Sequence, residues 1–170
     1  MAYEHIATAT ASSSPLFLEV TSIPSTYQDL EVIIQSKTTG SNGASSGKIT
    51  FNSVTSSDYH LTKIRNNGGN MYATVSSGQA NFNINYSHGP GNNSQMCGYV
   101  RLYLPDYASS AEHPANWWAT SWDTTTAGEI SYTAGKFSPS SAQAISSIKW
   151  TTVYTIEDDC TMSVYGITYA

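Results

Sequence analysis

The chain closes on two runs rich in β-branched and aromatic residues, Ile148-Lys-Trp-Thr-Thr-Val-Tyr-Thr-Ile156 and Cys160-Thr-Met-Ser-Val-Tyr-Gly-Ile-Thr168, which flank the acidic segment Glu157-Asp-Asp159. Such side chains suit the pleated surface of a β-strand, and aspartate tolerates turn conformations. The stretch therefore predicts two strands joined as a hairpin. It also sets the pattern that we expect in the rest of the chain.

The same pattern recurs upstream. Apolar and polar residues alternate from Gln95 to Leu104 and again from Asn81 to Tyr86, which is the period of a strand with one buried face. Loops rich in Gly, Asn, Ser and Pro separate such runs at intervals of roughly 8–12 residues. The segment Asn66-Asn-Gly-Gly-Asn70 is typical of a tight hairpin turn. This organisation predicts an all-β domain, either a sandwich or a barrel.

Composition agrees with a single packed domain. The 170 residues are 39% hydrophobic and include 12 Tyr and 4 Trp, which provides enough to bury and argues against disorder. Charged residues are only 11%, against roughly 25% in an average globular protein. A net charge of −5 with scattered Lys and Arg offers no footprint for nucleic acid. No apolar run approaches the ~20 residues of a membrane span, so we expect neither nucleic acid nor membrane as a partner.

The beginning of the chain differs from the rest. Residues 1–14 are small and polar, and they lack a hydrophobic face of their own. We expect an extended N-terminal arm or an edge strand there, with residues 15–170 forming a single β-sandwich domain. The N–H and C=O groups of an arm pair readily with an exposed sheet edge. Tyr3, His5 and Ile6 are therefore the residues expected to contact a neighbouring subunit.

Residues that carry chemistry are scattered. None of the 4 His stands in a metal-ligand spacing, and no Gly-x-Ser-x-Gly motif marks a nucleophile. Glu157-Asp-Asp159 could hold Ca²⁺, but a solvated acidic turn is the simpler explanation, which we prefer. We expect no catalytic residue, no metal and no cofactor. Cys97 and Cys160 lie in strand-like runs, so we expect both to be buried free thiols, with a disulfide as the alternative.

The tryptophan cluster is the feature that best supports binding. Trp117 and Trp118 are consecutive, so on a strand they point to opposite faces and one of them is expected to be exposed. With Trp122, and with Tyr107 and Asn116 nearby, an exposed ring would suit stacking on a sugar and hydrogen bonding at its edge. In the alternative, which we prefer, two Trp belong to the core and the third fills a subunit interface.

Several segments together resemble a known family. They are Ser22-Ile-Pro-Ser-Thr-Tyr-Gln-Asp-Leu30, Phe51-Asn52 with Ser57-Asp-Tyr-His-Leu61, Leu104-Pro-Asp-Tyr-Ala-Ser-Ser110, Ile145-Ser-Ser-Ile148, and Ser163-Val-Tyr-Gly-Ile167. In this order they resemble elements of virion proteins from tailed bacteriophages, including phages of cyanobacteria and marine bacteria. Two features depart from the family pattern: Asn52-Ser53-Val54 replaces its usual Asn-Gly-Asp, and the tryptophan cluster is absent from it.

The resemblance implies a jelly-roll-like antiparallel β-sandwich without enzymatic activity, located in the virion. It would decorate the capsid or form part of a tail appendage such as a tail fibre. Its partners would be other virion proteins and copies of itself, with a trimer among the oligomers considered. A carbohydrate-binding module that recognises a host surface glycan is the alternative. A polysaccharide-degrading enzyme is a third hypothesis, which requires a facing carboxylate pair at the base of a cleft.

Overall fold

A computed structural model describes residues 1–39, 45–67, 69–88, 97–109, 112–122, 128–141 and 143–169. Within these ranges the fold consists of twelve strands: β1 (Ala2–Thr10), β2 (Phe17–Val20), β3 (Asp29–Ser36), β4 (Ser45–Phe51), β5 (Tyr59–Asn67), β6 (Asn70–Gln79), β7 (Phe82–His88), β8 (Gly98–Pro105), β9 (His113–Trp122), β10 (Gly128–Phe137), β11 (Ile148–Thr152) and β12 (Thr161–Thr168). In these ranges no helix is long and apolar enough to cross a membrane.

The strands form two antiparallel sheets. The smaller sheet has the order β2-β11-β4-β7, and the larger has the order β1-β12-β3-β8-β9-β10-β5-β6. The strands β1-β12-β3-β8 and β2-β11-β4-β7 are the two four-stranded sheets of a jelly roll, in which the chain passes back and forth between the sheets. The predicted all-β jelly-roll sandwich is therefore confirmed. The pairs β9–β10 and β5–β6 are additions that widen the larger sheet on one side.

The core lies between the two sheets and is built by alternation. In β8, Val100, Leu102 and Leu104 are fully buried, while the residues between them face outward. Beneath the added strands the core is mainly aromatic: Phe51, Tyr59, Phe82, Phe137 and Trp117 pack with ring centroids 4.8–6.1 Å apart. Offset and edge-to-face contacts of this kind stabilise beyond the burial of area alone.

The buried hydroxyl of Tyr59 in this cluster has hydrogen-bond partners both as a donor and as an acceptor. The Tyr59 hydroxyl accepts a hydrogen bond from the Phe51 backbone N–H at 2.9 Å and donates one to the Val54 carbonyl at 3.0 Å. Burial is the main cause that raises the pKa of Tyr59 to about 12. The hydroxyl therefore stays protonated and fixes the chain where it leaves β4.

The hairpin predicted for the end of the chain is wrong. β11 pairs with β2 and β4 in the smaller sheet, whereas β12 pairs with β1 and β3 in the larger one. Residues 153–160 cross from one sheet to the other, and the fully buried Ile156 anchors this crossing through a 2.7 Å bond from its N–H to the Pro15 carbonyl. Lys37 Nζ lies 2.8 Å from Glu157 Oε2, so part of the acidic segment is ion-paired. The strand pattern was correct, but it does not encode which sheet each strand joins.

The N-terminal residues are an edge strand of the domain itself. β1 pairs with β12 from Ala2 opposite Thr168 to Thr10 opposite Thr161, with a bulge between His5 and Ala7. Ala11 is buried, and its N–H donates to the Cys160 carbonyl at 2.8 Å. The contact of this segment with a neighbouring subunit stays a prediction. The sequence also predicts that the loops at 39–47, 66–70 and 87–94 face solvent or a partner, and of these residues 40–44, 68 and 89–94 lie outside the described ranges.

Both cysteines are free, but only one is buried. Cys160 accepts a hydrogen bond from the Lys37 N–H at 3.1 Å, and burial is the largest cause that raises the pKa of its thiol. Cys97 is exposed, so its predicted burial is wrong. It precedes β8 and lies just beyond the last paired residues of the ladder, Gly98 and Ser36.

Candidate functional site

The outer face of the larger sheet brings aromatic and polar side chains together. Residues directly opposite each other in an antiparallel sheet share a face. One row across this face therefore contains Ile33, Arg101, Trp118, Tyr132 and Ile64, taken from β3, β8, β9, β10 and β5 in turn. The row combines strands that are far apart in sequence.

The tryptophan cluster is divided between the two faces of β9. Trp117 is 1% exposed and packs on Phe82 with ring centroids 4.8 Å apart. Trp118 points outward and is partly buried, with its ring 5.0 Å from that of Tyr99. Trp122 ends β9, and its side chain lies outside the described part of the structure. Of the two tryptophans whose side chains the structure describes, Trp118 is the one placed to meet a ligand or a partner.

The two residues predicted to accompany the tryptophans also separate. Asn116 lies on the outer face, opposite Tyr103 on β8 and Ala134 on β10. Tyr107 is fully buried, and its hydroxyl donates to the Pro24 carbonyl. Its predicted contact with a glycan or partner is therefore wrong. Tyr107 points inward from the turn after β8 and anchors that turn. A sequence typical of a turn does not predict this burial.

A shallow cleft of about 210 Å³ lies at the centre of this face. We call it the aromatic cleft, and its lining residues are Tyr3, Glu31, Arg101, Tyr103, Asn116, Trp117, Trp118 and Tyr132. Tyr3 comes from the N-terminal edge strand and is 52% exposed. The other two residues predicted for subunit contact lie beside it on β1: His5 is exposed, and Ile6 is partly buried against the core.

An ion pair forms the polar floor of the aromatic cleft. Arg101 donates from Nε to Glu31 Oε1, and the side chains are 47% and 7% exposed. The hydrogen bond to Glu31 is the main cause that raises the pKa of Arg101. Sequence reasoning missed both residues. Alternation places each on the polar face of its own strand, but the adjacency of β3 and β8 is a property of the topology.

Asp29 lies next to this pair on the same face of β3. Burial disfavours its ionised form, but hydrogen bonds from the Tyr103 hydroxyl, the Tyr169 hydroxyl at 2.5 Å and the Asp106 N–H at 2.9 Å lower its pKa overall. Burial and Asp29 together raise the pKa of Tyr103. The carboxylate is therefore ionised and surrounded by donors at neutral pH.

Asp29 and Glu31 are two carboxylates on one face of β3, and of the two only Glu31 lines the aromatic cleft. A glycosidase needs one carboxyl group with a raised pKa to protonate the leaving group. Asp29 has a lowered pKa, and Glu31 is committed to Arg101. This arrangement is suited to accepting hydrogen bonds rather than to transferring a proton.

A second feature of the outer face is apolar. Five side chains on β5, β6 and β10 are between 50% and 77% exposed: Ile64, Met71, Val75, Ile130 and Tyr132. We call them the apolar patch. They occupy the strands that extend the jelly roll, and β6 is the last strand of the sheet. Within the described residues, no group of three or more His, Cys, Asp or Glu could hold a metal ion.

Comparisons with known proteins add little. No family model matches the chain, and no curated protein matches it. Among solved structures, the chain is similar to CG-16, a homodimeric agglutinin from chicken liver, at 8% identity and a TM-score of 0.35, over 87% of this chain and 98% of that one. It is also similar to a chain of infectious bursal disease virus strain Gx, at 11% identity and a TM-score of 0.12, over 97% of this chain and 34% of that one. Neither likeness is close enough to carry an argument.

Proposed function

We propose that the chain is a non-enzymatic structural subunit of a tailed-bacteriophage virion, which decorates the capsid or forms part of a tail appendage. The apolar patch is the observation that carries the proposal. Its members would meet further copies of the same chain, and other parts of the fold would meet other virion proteins. The role is passive, because it requires contact surfaces and no reactive group.

The exposure of the apolar patch supports an assembly role. A single exposed hydrophobic residue is ordinary, but a contiguous group on one face marks an interaction surface. Val75 is 77% exposed and Met71 is 67% exposed, on a strand that ends the sheet. Fully burying one such side chain contributes about 1.5–3 kcal/mol. All five members are uncharged, so a neighbour can cover them without desolvating a charge.

The positions of the family-like segments also support the proposal. The Tyr107 hydroxyl bonds to the Pro24 carbonyl, and the Ile145 N–H donates to the Tyr107 carbonyl at 3.1 Å. The ring of Tyr27 lies where a side chain at Gly166 would be, at 2.3–2.5 Å from its ideal Cβ position. Four separate segments of the resemblance therefore meet in one corner of the sandwich.

A fifth segment joins the same network. The Asn52 side chain donates to the Ala144 carbonyl at 2.8 Å and accepts hydrogen bonds from the backbone N–H groups of Ser146 and Ser147 at 2.8 and 3.0 Å. Asn52 thus ties the chain that leaves β4 to the segment that precedes β11. The segments that resemble the phage family therefore have structural roles in this chain, which supports the proposal of a structural subunit.

Purified particles provide the test. The phage whose genome encodes this chain is grown, purified by density gradient and examined by peptide mass spectrometry and by gold-labelled antibody against the chain. We expect the chain in the particle fraction, with label on the capsid or tail in regular copies. Its confinement to the soluble fraction of the lysate would rule the proposal out.

A second candidate is a carbohydrate-binding module at a tail-fibre tip, which recognises a glycan of the host surface. The aromatic cleft favours it, because an outward tryptophan stands beside an ion pair and an amide there. The two roles are compatible on one subunit, since the cleft and the apolar patch share only Tyr132.

A further inference from the structure

The aromatic cleft has the composition of a ligand site. Sites for small molecules combine an apolar or aromatic surface with a few polar groups that fix orientation. Trp118 provides the surface, and it is held in place by Tyr99, whose ring centroid is 5.0 Å away at an interplanar angle of 36°. Its cross-strand neighbours are Arg101 on one side and Tyr132 on the other. The ring therefore has polar groups along one edge and an aromatic side chain along the other.

The polar groups can both donate and accept. Arg101 uses Nε for Glu31, and its guanidinium carries four further N–H donors in a fixed fork. Glu31 is an acceptor whose second oxygen Oε2 is not part of that bond. Asn116 offers a carbonyl and an amide on the neighbouring strand. Donors and acceptors side by side match hydroxyl groups, since each hydroxyl both donates and accepts.

The charge of the cleft selects against anions. Arg101 and Glu31 neutralise each other, and the ionised Asp29 lies two residues from Glu31 on the same face of β3. These three groups sum to one negative charge. A carboxylate or sulfate on the ligand would be repelled rather than bound.

The size of the cleft limits the ligand. Its volume of about 210 Å³ is below the roughly 300–1,000 Å³ of sites for drug-sized molecules. We propose that the aromatic cleft binds one neutral pyranose ring, with the apolar face of the sugar on Trp118 and its hydroxyl groups on Arg101, Glu31 and Asn116. This inference rests on the second candidate function, carbohydrate binding, and does not depend on the subunit contact, because the apolar patch is tested by the oligomeric state and the cleft by sugar binding.

The test is a titration of the full chain with methyl glycosides of glucose, galactose and mannose. Binding is measured by isothermal titration calorimetry and by saturation-transfer NMR. Glucuronate and N-acetylneuraminate serve as anionic probes. We expect at least one neutral glycoside to bind saturably in the millimolar range, and the anionic sugars to bind at least about tenfold more weakly.

Variants locate the binding. Trp118→Ala and Arg101→Gln should each weaken binding by at least about tenfold. The first removes the stacking surface, and the second removes a charged hydrogen bond. Thr62→Ser, on the same face of β5 but outside the cleft, should bind as wild type. Thermal unfolding followed by circular dichroism checks that each variant folds. If Trp118→Ala does not fold, Arg101→Gln provides the test. Absence of saturable binding by wild type, equal binding by a folded cleft variant, or tighter binding of an anionic sugar would overturn the inference.

Discussion

A methyl group added at Gly47 would lie 1.9 Å from the ring of Trp150, which is fully buried. β4 can therefore pass over this ring only where it carries no side chain. We predict that Gly47→Ala destabilises the fold by about 1–3 kcal/mol, because the ring must leave its packed position. The urea midpoint of unfolding measures this. Lys48→Ala, at the exposed neighbouring position, should change it little, and equal midpoints for Gly47→Ala and wild type would refute the account.

His113 is the buried group that makes stability depend on pH. Its Nε2–H donates to the Gln143 carbonyl at 2.8 Å, while Nδ1 is buried without a hydrogen-bond partner among the described residues. Burial is the main cause that lowers its pKa below 6.5. The unfolded chain then binds the proton more readily than the folded one. Stability from this group is complete above pH 6.5 and is lost as the pH falls through and below that value.

We therefore predict that wild type is less stable at pH 5.5 than at pH 7.5, and that His113→Gln removes much of this difference. Urea unfolding at the two pH values measures both effects. The lowered pKa of Asp29 makes stability depend on pH in a separate range, below the usual pKa of 3.8. It therefore does not affect the comparison between pH 5.5 and pH 7.5. A pH dependence of the same size in wild type and variant would contradict the assignment to His113.

Alternation alone predicted the opposite orientations of Trp117 and Trp118. It did not predict that Arg101 and Glu31 would pair, because these residues are 70 positions apart and meet only when β3 and β8 become neighbours. The burial of Tyr107 was missed for a related reason, since its partner Pro24 belongs to a distant segment. Residue pattern gives the face of a strand, and topology gives the neighbours.

At the scale of elements, β1 closes one edge of the larger sheet. Its side chains Ile6, Ala7 and Ala9 pack against the core, and its backbone covers β12. We predict that deletion of residues 1–10 leaves a folded sandwich that is about 2 kcal/mol less stable, because the lost burial corresponds to about one aliphatic side chain. Thermal unfolding followed by circular dichroism measures the loss. An unchanged melting temperature would show that β1 does not stabilise the domain.

The strands themselves were largely readable from the sequence. The alternating runs predicted at 81–86 and at 95–104 correspond to β7 (Phe82–His88) and β8 (Gly98–Pro105). The predicted turn at 66–70 joins β5 and β6, whose Asn67 and Asn70 are paired. The hairpin of β11 and β12 failed because both a hairpin and a crossing between sheets need two strands and a polar connection. The buried Ile156 anchors the crossing, and its burial is a tertiary property.

At the scale of the whole molecule, the extension of the jelly roll carries the proposed contact surface. The four added strands β9, β10, β5 and β6 widen only the larger of the two sheets. Their outer face carries the apolar patch and adjoins the aromatic cleft. We therefore predict that the chain self-associates through this face.

Sedimentation velocity over a range of protein concentrations tests this claim most directly. We predict that wild type forms a discrete oligomer, that the double variant Ile64→Thr/Ile130→Thr sediments as a monomer, and that Val153→Thr behaves as wild type. Val153 is a matched control, because it is 63% exposed but lies in the connection between β11 and β12. Wild type that remains monomeric at every concentration, or a double variant with an unchanged oligomer, would contradict it.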